Sequence, residues 1–175
     1  MHVNARATSA HKFRVALLIS SVMAVLLVGA LPGIGKAHSL AGGGGGFYFK
    51  RSERCLMGKI NAIRRNNGRH ALNWDKQLGF VARMHANNMA SQGGVWHDYS
   101  VGQRVTHWVS LGQNTGRGGA CKRIIHSFMR SSSHRANILG QWRFIGIGTE
   151  WRGRRLYVQQ LFESRRNPGN IYSTP

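Results

Sequence analysis

Two histidines and their neighbours carry most of the chemistry this sequence could do. His134 lies in the stretch 128–148, FMRSSSHRANILGQWRFIGIG, where an apolar helical pattern gives way to small hydrogen-bonding residues and then to an alternating strand. An imidazole titrates near neutrality, so at the mouth of a cleft it can take a proton, ligate a metal or bind a partner. Ser133 precedes it, but chain neighbours seldom reach the geometry a nucleophile and its base require. His97 follows a glycine stop in Val95-Trp96-His97-Asp98, and Gly112-Gln113-Asn114 follows a segment rich in Trp, Val and Leu. Both read as loops, where a rigid scaffold carries its binding groups. Structural readings stand beside the functional ones: His97 as an exposed loop residue, His134 as a bonder of backbone at a helix-to-strand junction, and His85 as a satisfied core histidine.

The elements that must position these residues follow from periodicity. Leu56, Ile60 and Ile63 predict a first amphipathic helix from Ser52 to Asn67, stopped by Asn66-Asn67-Gly68. Asn73 or Asp75 can cap a second, in which Leu78, Val81, Ala82, His85, Ala86, Met89 and Ala90 form one face before Gly93-Gly94 ends it. Ile124, Ile125, Phe128 and Met129 mark a third, whose end the serines 131–133 are expected to fray. The period then changes to two. Residues 144–149 predict a strand whose glycines permit close backbone approach, Arg152-Gly153 a turn, and 156–162 the returning strand. Helices followed by a hairpin point to an α+β domain with helices layered on an antiparallel sheet.

The ends and the totals bound the setting. Residues 1–37 read as a signal peptide: Arg6, Lys12 and Arg14, an apolar run from Val15 to Leu31, then a small-residue site near Ala37. An uncleaved anchor is the alternative, and the only form in which a membrane partner is expected. Residues 38–51, with five consecutive glycines at 42–46, read as a flexible spacer, 52–163 as the folded domain, and 164–175 as a basic tail. The chain holds 25 Lys+Arg against 5 Asp+Glu. Removing the leader's Arg6, Lys12, Arg14 and Lys36 leaves 21 against the same 5, a net charge near +16. Such a charge either solubilises the protein or attracts polyanions, and no helix-turn-helix, zinc-finger or RNA-binding signature argues for specific nucleic acid. Cys55 and Cys121 are the only cysteines. In an exported chain they most simply pair, stabilising the fold by roughly 4 kcal/mol; a reactive thiol is the alternative.

Taken in order, the motifs resemble the CAP superfamily, or SCP domain: cysteine-rich secretory proteins, antigen-five allergens and plant pathogenesis-related proteins, in particular its short secreted bacterial members. The pieces are Ile60-Asn61-x-x-Arg64, Leu72-x-Trp74-Asp75-x-x-Leu78, Ala82-x-x-His85-Ala86-x-x-Met89-Ala90, His97, Gly112-Gln113-Asn114, Ser133-His134-Arg135-Ala136-Asn137-Ile138-Leu139, Phe144-x-x-Ile147-Gly148 and Tyr157-Val158-x-Gln160-x-Phe162. The resemblance implies a three-layer α-β-α sandwich with a central antiparallel sheet and a cleft holding two histidines and two acids, in some members with a divalent metal. His97 and His134 match the histidines. Gln113 stands where the family usually has the glutamate of a Gly-Glu-Asn loop, the second glutamate has no match, and Phe128 replaces a common tryptophan.

The binding cleft implied is therefore His97, Gln113, Asn114, Ser133 and His134, with His97 and His134 as candidate catalytic residues and as weak candidate metal ligands. A neutral amide cannot take a proton or neutralise a metal as a carboxylate does, and two histidines fall short of the three protein ligands a catalytic zinc site normally supplies. Asp98 and Glu150 are the only plausible substitute acids. The leading expectation is a secreted, non-catalytic binding module at the cell envelope or in the extracellular space, its partner an anionic envelope polymer, a lipid or another protein. The alternative is a secreted hydrolase of peptide or wall bonds, using the two histidines with Ser133 or with a metal-bound water.

Overall fold

The computed structural model describes residues 47–166. The leader, the run of five glycines and most of the tail assigned from the sequence lie outside them. The element order is α1 (Arg51–Asn66), β1 (Asn73–Trp74), α2 (Lys76–Gln92), α3 (Val101–Arg104), β2 (Leu111–Gly118), α4 (Cys121–Arg130), α5 (Ser132–Leu139), β3 (Phe144–Arg152) and β4 (Arg155–Glu163). The strands lie in the order β1-β3-β4-β2. β3 and β4 form the expected hairpin, and β2 runs antiparallel to β4. The sheet is mixed rather than wholly antiparallel, because the short β1 pairs parallel to β3.

Helices cover both faces, giving the α-β-α sandwich. On one side Leu56 and Ile60 of α1, Ile124 and Phe128 of α4 and Ile138 of α5 bury against Ile145, Ile147, Val158 and Phe162. On the other, Leu78, Val81 and Ala82 of α2 pack on Leu161, and Met89 and Ala90 on Tyr157. Alternation along β3 explains the split: the isoleucines face one layer and the glycines the other. A Cβ on Gly146 would lie 2.1 Å from the Leu78 carbonyl carbon, and one on Gly148 2.0 Å from that of Ala82, so α2 rests directly on the strand backbone.

Asp75, of the two residues that could cap α2, is the one that does: its Oδ1 accepts from the N–H of Leu78 at 2.8 Å. Gly93 closes the helix in the left-handed conformation at φ 75°. His85 is buried, with Nε2 2.8 Å from the carbonyl oxygen of Trp96. The described residues begin inside the segment assigned to the spacer, where Phe49 stacks on Trp74 with ring centroids 3.8 Å apart. Cys55 and Cys121 form a disulfide that ties α1 to the start of α4. Among the described residues no helix is long and apolar enough to cross a membrane.

Two segments differ from the sequence expectation. Gly112-Gln113-Asn114 is not a loop but the start of β2, an edge strand whose polar and glycine-rich composition hides its pairing with β4. The serines do not merely fray α4: the chain breaks at Ser131 and starts a second helix, α5, so His134 stands in a helical first turn.

Candidate functional site

The candidate residues gather on the free edge of the sheet. Successive side chains of β2 project to opposite faces. Gln113 reaches toward the chain that leaves α2, and Asn114 toward α5.

Asn114 is fully buried and anchors α5. Its Nδ2 donates to the carbonyl oxygen of His134 and to Oε1 of Gln160, each at 3.1 Å, while its Oδ1 accepts from Nδ2 of Asn137 at 2.9 Å. Asn137 also donates to the carbonyl oxygen of Gln113 at 2.9 Å. The helix turn bearing His134 is thereby bolted to β2. The His134 ring stacks on Phe128 with centroids 4.6 Å apart. Phe128 occupies the space above Gly116, where a Cβ would come within 2.7 Å of its ring.

Gln113 holds the other histidine's loop. Its Oε1 accepts from the N–H of Asp98 at 3.1 Å and its Nε2 donates to the Asp98 carbonyl oxygen at 3.2 Å, clamping that residue's backbone at both ends. The same Oε1 accepts from Nε2 of Gln159 at 3.0 Å. His97, next in the chain, is exposed. Burial first, and the charge of His97 second, hold the His134 imidazole below the ordinary histidine value, favouring its neutral form. The two rings are thus near enough to interact electrostatically.

His97 and His134 interact electrostatically, and the two candidate acids expected from the sequence are engaged with other groups. The Asp98 carboxylate turns to the N–H and hydroxyl of Ser100, at 3.1 and 2.9 Å, and pairs with Arg104. Glu150 pairs with Lys50 at 2.8 Å. Ser133 is exposed and its hydroxyl lies 3.2 Å from that of Ser131. The donor set does not fit a resident metal: both polar atoms of the Gln113 side chain are hydrogen-bonded within the fold, and among the described residues no group of three or more His, Cys, Asp or Glu converges. A cavity of about 600 Å³ lies elsewhere, walled by Asn73, Trp142, Arg143 and Arg165, and includes none of these residues.

The profile of the cysteine-rich secretory protein family, CAP, matches residues 57–161. The chain belongs to this family. Solved structures agree on the CAP fold. An outer surface protein of Borrelia burgdorferi superposes with a TM-score of 0.62 at 18% identity, over 69% of this chain and 97% of that one. The venom allergen-like protein 4 of Schistosoma mansoni gives 0.56 at 14% identity, over 73% and 97%. An extracellular SCP-domain protein of Bacillus anthracis gives 0.55 at 18% identity, over 69% of this chain but 45% of that longer one. No curated protein sequence matches.

Sequence reasoning missed the residues that organise this CAP site from behind. Asn137 and Gln160 were visible only as letters within family motifs, and Gln159 carried no signal. Arg64 is likewise a motif residue whose role needed coordinates. It is buried, and its guanidinium donates to the carbonyl oxygens of His70 at 2.8 Å, Ile138 at 2.7 Å and Gly140 at 3.0 Å, stapling α1 to the end of α5.

Proposed function

We propose that this CAP-domain protein is a secreted, non-catalytic binding module that holds to anionic polymer at the cell envelope. The observation that carries the reading is the placement of its five carboxylates. Glu53, Asp75, Asp98 and Glu150 each pair with a basic side chain inside the fold, and Glu163 is buried. That placement has two consequences. No carboxylate is left to act with His97 and His134 as acid, base or metal ligand. Among the described residues the remaining lysines and arginines, the buried Arg64 apart, lie at the surface without a carboxylate partner, which favours polyanions over a neutral lipid or protein ligand. Export is supported by the leader pattern, by the disulfide and by relatives described as outer-surface or extracellular proteins.

The test is retention of the purified domain on an anionic polymer matrix under a salt gradient, with and without the double substitution His97→Ala/His134→Ala. Wild type and double variant should be held equally at low salt and released together as ionic strength rises. No salt-sensitive retention, or cleavage of a peptide or wall bond that disappears in the double variant, would turn the reading toward the hydrolase.

A further inference from the structure

We propose that a groove between the start of α4 and the β3–β4 turn is a site for phosphate groups carried along that anionic polymer. The proposal rests on the polyanion reading above and assigns it a place and a chemistry. The groove, of about 470 Å³, is walled by Arg117 at the end of β2, Arg123 and Ser127 of α4, and Arg154 and Arg155 at the turn. All four arginines are exposed. None has a carboxylate partner, because all five carboxylates of the chain are engaged or buried elsewhere. Arg117 donates to the carbonyl oxygen of Gly93 at 2.6 Å and contributes mainly charge, whereas the guanidinium groups of Arg123, Arg154 and Arg155 make no hydrogen bond among the described residues. Four like charges around one concavity repel one another, and an oxyanion between them reverses the sign of that interaction.

The backbone points the same way. Ala120, at the N-cap of α4, has no side-chain acceptor to offer, and the first helical bond runs from the N–H of Ile124 to the Ala120 carbonyl oxygen at 3.1 Å. The N–H groups of residues 121–123 therefore lack helical acceptors. Lys122 and Arg123 place two cations in the turn where the helix dipole favours anions. This opposition is unfavourable in the free protein and is relieved by a bound oxyanion. The disulfide at Cys121 fixes this end of α4 to α1.

Phosphate follows from the guanidinium fork, which matches its oxygens two at a time. The lining holds no aromatic ring on which a base could stack, which argues against single-stranded nucleic acid. The groove is concave and none of the large exposed apolar side chains lines it, so a chain can enter where a flat bilayer cannot.

The experiment measures binding of short-chain inorganic polyphosphate across a salt series. It compares the wild-type domain, Arg123→Gln/Arg154→Gln in the groove, and Arg65→Gln/Arg130→Gln, which removes the same charge from exposed positions outside it. The groove variant should bind about tenfold more weakly, with the slope of log affinity against log salt reduced by about 1 to 2, while the distant variant stays near wild type. Polyphosphate should shift the backbone amide resonances of Lys122 and Arg123. Equal weakening in both variants, or amide shifts only elsewhere, would overturn the groove and leave the polyanion reading standing. A wild-type domain that binds no polyanion would remove that reading and the groove with it. Binding to anionic phospholipid vesicles but not to polyphosphate would replace the polymer by a membrane.

Discussion

Gln113 joins the loop of His97 to the sheet through a donor and an acceptor at once, something the carboxylate of a glutamate cannot do at neutral pH. Gln113→Glu would keep the bond from the Asp98 N–H but set a carboxylate oxygen against the Asp98 carbonyl. A loss of about 1 to 2 kcal/mol in urea unfolding at pH 7 is expected, shrinking near pH 4 as the new carboxyl protonates and donates again. An unchanged midpoint at pH 7 would mean the clamp contributes nothing. Glu163 offers a second test. It is 1% exposed, its Oε1 has no partner among the described residues, and burial pushes its carboxyl up to about 7, with Asp75 adding to the rise and Arg166 opposing it. Between about pH 4.5 and 7 the folded state holds a proton that the unfolded state has released, so this residue's stability contribution is lost as pH rises through that window. His134, held below its ordinary value, acts the other way and costs stability as pH falls through about 6.5. Glu163→Gln should therefore leave stability near wild type at pH 4.5 and raise it by about 2 kcal/mol at pH 8, read from unfolding curves at the two pH values.

At the scale of elements, the tightest join is α2 on β3. A Cβ on Gly148 would lie 2.0 Å from the Ala82 carbonyl carbon and 2.2 Å from the Arg83 nitrogen, both backbone atoms that cannot turn aside. Gly148→Ala should cost about 3 kcal/mol, whereas Gly58→Ala on α1, where nothing lies within 4 Å, should gain about 0.5 to 1 kcal/mol from helix propensity alone. Equal effects at the two sites would refute the packing argument. The glycines of β3 and the apolar face of α2 were legible in the sequence because a period of two or 3.6 records which side is buried. β2 was not legible. Gly112, Gly116 and Gly118 leave room for Trp142, Phe128 and Ile124, so its inner face carries no hydrophobic signal of its own. The same limit hid α5, where Ser-Ser-His-Arg shows no apolar stripe and Ile138 is the only buried residue. The two histidines were found through family motifs, but that Gln113 clamps the Asp98 backbone depends on which residues β2 faces across the fold, and no local pattern encodes that.

For the whole molecule, the decisive fact is where opposite charges meet. Glu53 and Asp75 are buried, with Arg83 and Arg166 beside them, and such pairs are screened weakly by salt. Among the described residues the surplus cations other than Arg64 lie at the surface and repel across it, an interaction that salt does screen. The two populations predict opposite responses, and the excess of 25 basic over 5 acidic residues decides which prevails. Raising sodium chloride from about 0.1 M to about 1 M, which shortens the screening length from about 10 Å to about 3 Å, should move the urea midpoint upward. The groove variant Arg123→Gln/Arg154→Gln should gain less from added salt than wild type, because it has already lost part of the repulsion. A midpoint that falls with salt would show that the internal ion pairs, rather than the uncompensated surface, dominate the electrostatic free energy of folding.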